Sequence, residues 1–104
     1  MAQHLRRFEI LVPLRFNDGS VVPDELFKQT KAELKDAFGG LSSESQVIHG
    51  FDRGTTGEDK MARVYADVPD TAESLAYFLS AKERLQKRFQ QEEIRITHYA
   101  VEAL

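Results

Sequence analysis

Hydrophobic residues in this chain recur first at every second position and then at the spacing of a helix face, in the order strand, helix, strand, strand, helix, strand. That order constrains a short chain strongly. Two right-handed β-α-β crossovers place the first and third strands in the middle of one antiparallel sheet, the second and fourth at its edges, and both helices on one face. The first strand shows the period most clearly: Phe8, Ile10, Val12, Leu14 and Phe16 alternate with Glu9, Leu11, Pro13 and Arg15, which leaves one face wholly apolar. Pro13 cannot donate to a ladder, so an end or a bulge is predicted there.

The turn Asn17-Asp18-Gly19-Ser20 closes this strand, and Pro23 as a first helical residue, followed by Asp24 and Glu25, opens a helix that Gly39-Gly40 stops. Phe27, Thr30, Leu34, Ala37 and Phe38 share its apolar side. Gln46 to Asp52 and Lys60 to Val68 read as a hairpin joined by the loop from Arg53 to Asp59. Asp70 as N-cap and Glu73 as its capping-box partner start the second helix, with Leu75, Phe78, Leu79, Leu85 and Phe89 as the buried stripe. Lys82, Arg84, Lys87 and Arg88 read as a solvated helix end, and Ile94 to Val101 as the last strand. The expectation is a single ferredoxin-like α+β domain over residues 1–104: a two-layer sandwich with a four-stranded antiparallel sheet and two helices on one face.

Composition removes several functions. Fourteen Lys and Arg against 17 Asp and Glu, a net charge of -3, give no general attraction for nucleic acid or anionic membranes. Without cysteine there is no disulfide framework, thiolate metal site or cysteine nucleophile. His4, His49 and His98 are scattered, so neither a metal nor another cofactor is expected. The start Met1-Ala2-Gln3-His4-Leu5-Arg6-Arg7 lacks the apolar stretch of a signal peptide, and a cytoplasmic location is the expectation.

Four landmarks, Asp18-Gly19-x-Val21, Phe38-Gly39-Gly40-Leu41, Val68-Pro69-Asp70-Thr71 and Arg88-Phe89-x-Gln91-Glu92, resemble those of small bacterial domains of unknown function. The resemblance spans Phe8 to Arg95 and implies the fold without implying a chemistry.

Function is therefore sought on the sheet face that the helices leave open. It would carry Leu11, Pro13, Met61, Arg63, Tyr65, Arg95, Thr97, Tyr99 and Val101, too apolar for a solvated surface and too polar for a core. The leading expectation is a homodimeric small-ligand or protein-binding module using this face, with Met61, Arg63, Tyr65, Arg95, Tyr99 and His49 as ligand or interface residues. The alternative is an enzyme that resembles cofactor-free monooxygenases of the dimeric α/β-barrel class, in which Tyr65, Tyr99, Arg63 and Arg95 orient an anionic or phenolic molecule and His49 or His98 acts as base. A second alternative rests on Gly50 to Gly57, which resembles a shortened loop of PII-type nucleotide-binding regulators. RNA binding through the sheet is disfavoured, because Lys60 to Ala66 lacks the glycine and paired aromatics that RNA-recognition motifs place on that strand.

Overall fold

The computed structural model describes residues 3–39, 43–51 and 58–104, with only the backbone described for residue 3 and for 43–51 and 58–60. Six elements follow in order: β1 (Gln3–Pro13), α1 (Asp24–Phe38), β2 (Ser43–Phe51), β3 (Glu58–Pro69), α2 (Ala72–Arg88) and β4 (Arg95–Ala103). The sheet order is β2-β3-β1-β4 and each neighbouring pair is antiparallel, which is ferredoxin-like topology with β1 and β3 central.

The expected four-stranded two-layer sandwich needs correction. The layer whose described side chains pack against the helices has three strands, β3-β1-β4. β2 is joined to β3 by backbone pairing, from Ser43 opposite Ala66 to Phe51 opposite Glu58, and its side chains lie outside the described residues, as does the segment 52–57. Glu58 and Asp59, read from sequence as loop, belong to β3.

β1 also begins earlier than its apolar alternation suggests, and it ends at Pro13, where the sequence predicted an end or a bulge. The cause is the missing proline N–H, which ends the ladder. Beyond it the chain folds into a tight turn: Gly19 adopts φ 88° and donates to Phe16 O, Val22 donates to Leu14 O at 2.9 Å, and the Val22 side chain plugs the core.

Pro23 is the N-cap of α1 and not its first helical residue, and Gly39 closes the helix in the left-handed conformation with its N–H on Lys35 O. α1 buries Thr30 and Leu34, with Phe27 and Phe38 half-buried, while Ala37 is exposed. For α2 the cap is Thr71, whose Oγ1 accepts from Ser74 N at 3.2 Å. Asp70, the expected cap, instead accepts from Arg6 Nε at 2.9 Å.

The buried stripe of α2 is Ser74, Phe78, Ala81 and Leu85, continued by Phe89 beyond the helix. Leu75 and Leu79, expected inside, are 40% and 63% exposed. Small residues at 74 and 81 let the helix lie close on the sheet while Phe78 inserts between layers. There its ring stacks on Phe8 at 4.0 Å, extended by Phe38 at 5.8 Å on one side and by His98 stacked on Phe8 at 5.0 Å on the other. The rest of the core is Ile10, Val12, Ala62, Val64, Ala66, Val68 and Ile94.

The basic end of α2 is not simply solvated. Arg88, its side chain 10% exposed, reaches across to α1, where it pairs with the Glu33 carboxylate and donates to Thr30 Oγ1 at 3.0 Å. Lys82 pairs with Glu93 at 2.5 Å, and the Arg84 guanidinium lies 5.4 Å from the Tyr77 ring centroid. Burial raises the Tyr77 phenol above its ordinary value against the opposing pull of Arg84.

Candidate functional site on the open sheet face

Strand alternation sends every second residue of β1, β3 and β4 away from the helices, and the pairing aligns these residues in rows. In the order β3, β1, β4 the rows read Asp67-Arg7-Tyr99, then Tyr65-Glu9-Thr97, then Arg63-Leu11-Arg95, with Met61 and Pro13 beyond. Five of the six sequence candidates, Met61, Arg63, Tyr65, Arg95 and Tyr99, are thereby brought onto one face. The sixth, His49, pairs through its backbone with Lys60 on the outer side of β3, and its side chain lies outside the described residues.

The rows are tied together by charge. Arg7 Nε and Nη2 donate to the two Asp67 carboxylate oxygens at 2.7 and 2.9 Å, a bidentate pair. The Arg7 guanidinium carbon also sits 4.4 Å from the Tyr65 ring centroid. The hydrogen bond to Asp67, with a smaller contribution from Tyr99, holds Arg7 protonated even more firmly than an ordinary arginine, against the effect of burial. Tyr99 donates its hydroxyl to Glu9 Oε1 at 3.0 Å, and Arg63 Nη1 approaches the same oxygen at 3.6 Å. Glu9 is thus clasped from both neighbouring strands, and its side chain is only 16% exposed on a face that no helix covers.

Arg7, Glu9 and Asp67 were not among the sequence candidates, and together with Arg63, Arg95 and Thr97 they make the face polar. The signal for the first three was present in the alternation of β1 and β3, since they occupy the same parity as Leu11 and Tyr65. Three arginines and two carboxylates in the rows leave an excess of positive charge in a chain whose net charge is -3. Arg95 is exposed and makes no ion pair among the described residues. Arg63 and Arg95 flank Leu11 from its two neighbouring strands, and their Cα atoms are separated by about two strand spacings, roughly 9.5 Å. Arginine side chains reach far enough to converge on one anion above Leu11.

On the opposite face, a surface cleft of 360 Å³ lies where α2 begins, lined by Arg6, Asp70, Thr71, Ala72, Leu75 and His98. Arg6 Nη1 donates to His98 Nδ1 at 3.1 Å, which fixes that nitrogen as an acceptor. Arg6 therefore engages Asp70 and His98 together, and His98 faces this cleft and not the row of candidate ligand residues. Among the described residues no group of three His, Asp or Glu side chains converges as a metal site, and no helix is long and apolar enough to cross a membrane.

The topology and the uncovered charged face define a ferredoxin-like α+β domain with an open-sheet surface. No protein-family model and no curated protein matches this chain. Among solved structures, a phage SAM lyase in complex with S-methyl-5'-thioadenosine is similar to it, with a TM-score of 0.57 and 13% sequence identity over 95% of this chain and 90% of that one. The likeness is one of fold.

Proposed function

We propose that this protein is a small-ligand-binding module whose open sheet face takes an anionic small molecule with a flat body. The observation that carries the reading is the placement of Arg63 and Arg95 on either side of Leu11, with Arg63 also held near Glu9 and Arg95 exposed. An anion between the two guanidiniums gains charge-assisted hydrogen bonds, Leu11 and Met61 supply apolar contact, and the clasped Glu9 and Arg7 hold the floor rigid. Tyr99, 44% exposed, offers an aromatic surface beside them. The solved structure of similar fold holds an adenosine derivative, which makes a nucleoside monophosphate the natural first probe.

The test is an amide NMR titration with AMP, repeated with uncharged S-methyl-5'-thioadenosine. The expected result is a set of AMP-dependent shifts at Leu11, Arg63, Tyr65, Arg95 and Tyr99, with affinity lowered about tenfold, roughly 1.4 kcal/mol, by Arg63→Ala or Arg95→Ala. The uncharged compound should bind more weakly. Shifts confined to other surfaces, or an affinity untouched by both substitutions, would refute the assignment.

A further inference from the structure

The geometry points to a second copy of this chain as the partner of the β4 edge, paired antiparallel about a two-fold axis at Ala100. β4 is an edge strand of nine residues with its outer backbone groups unpaired by the sheet, and it contains neither proline nor lysine, two residues that often guard such an edge. The layer above offers matching apolar surface. Leu75 and Leu79 are exposed one turn apart on α2, and Leu75 shares a cleft with His98 of β4. An edge-to-edge copy of the same two-layer unit continues both layers at once, and a strand paired with itself is the isologous contact that two-fold symmetry requires.

The register follows from the side chains. Pairing about Ala100 preserves the alternation of faces, so the helix-side residues of one copy meet those of the other. His98 then lies opposite Glu102 of the second copy, and the reverse, which brings a carboxylate to the Arg6-His98 end of the cleft. Ile96 meets Leu104, an exposed apolar residue matched to a half-buried one. On the open side Tyr99 meets Val101, and at the axis two alanines allow close approach. Tyr99 belongs to both this contact and the proposed ligand face, while Leu11 and Arg63 lie on β1 and β3 away from the β4 edge, so different substitutions test the two proposals.

Sedimentation velocity from micromolar to millimolar protein tests the proposal against the monomer mass of 11.9 kDa. The expected result is a dimer whose dissociation constant rises about fivefold or more in Ala100→Lys, which sets two like charges directly opposite. Glu102→Lys should weaken it too, and Glu102→Lys combined with His98→Glu should restore it. Tyr65→Glu, on the open face, should leave it unchanged. Amide exchange of the wild type provides a reading free of folding defects, with outward β4 amides protected only as concentration rises. A monomeric wild type, a dimer indifferent to Ala100→Lys, or one split by Tyr65→Glu would overturn the assignment.

Discussion

Removing Glu33 should destabilise this protein more than removing Arg88, although Arg88 is the more buried member of the pair. The Glu33 side chain is 35% exposed against 10% for Arg88. Glu33→Ala leaves a guanidinium lodged between the two helices with Thr30 Oγ1 as its remaining partner, and that hydroxyl is itself committed as a donor to Leu26 O at 2.8 Å. Stranding one charge of a buried pair costs about 3–5 kcal/mol, and the partial access to water here lowers the expectation to about 2–3 kcal/mol. Arg88→Met keeps the apolar stem and frees a carboxylate that can turn into solvent, so only the pair itself is lost, about 1 kcal/mol. Urea denaturation followed by far-UV circular dichroism measures both, and the difference should also appear as a melting temperature lower by about 4–8 °C per kcal/mol in Glu33→Ala. The double variant should be no less stable than Glu33→Ala alone, because it removes the stranded charge. An Arg88→Met protein as unstable as Glu33→Ala, or less stable than it, would refute the reasoning and place the energy in packing of the arginine stem.

Three further outcomes test separate parts of the structure. Thr71→Ala should lose about 1 kcal/mol through the N-cap, whereas Asp70→Ala, removing an ion pair whose aspartate is 37% exposed, should lose less than about 0.5 kcal/mol in the same denaturation assay. Gln90 holds φ 53°, so Gln90→Gly should raise stability by about 0.5 kcal/mol, the relief of left-handed strain exceeding the added freedom of the unfolded chain. Asp18 accepts from both Ser20 Oγ and Ser20 N, which lowers its carboxyl below the ordinary 3.8. The stabilisation linked to this group is present above that ordinary value and is lost as pH falls through the lower folded one, and a carbon-detected NMR titration should show the carboxyl moving back up in Ser20→Ala.

The alternation of Phe8, Ile10 and Val12 and the glycine after Phe38 were enough to locate β1 and the end of α1, because both signals are local. The α2 stripe was misread because size was taken for burial: Leu75 and Leu79 outrank Ser74 and Ala81 in hydrophobicity, yet a helix pressed on a sheet needs small residues at its closest approach. The cap was misplaced by one residue since Asp70 and Thr71 both suit the role, and only the distant Arg6 decides between them. The site was half legible. Candidates on β3 and β4 could be placed on the open face, but the ion pairs that set its character join residues distant in sequence, Arg7 with Asp67 and Glu9 with Arg63, and register across the sheet is not written in either strand alone.

The column of stacked rings that runs from Phe38 through Phe78 and Phe8 to His98 has a spectroscopic consequence. A histidine ring stacked within 5.0 Å of a buried phenylalanine sits in that neighbour's magnetic shielding, so its carbon-bound protons should resonate upfield of those of His4. With three histidines in the chain and no tryptophan, these lines fall in a sparse part of the proton spectrum. A one-dimensional spectrum in heavy water would then track, through a single exposed side chain, whether the rings beneath it remain in place.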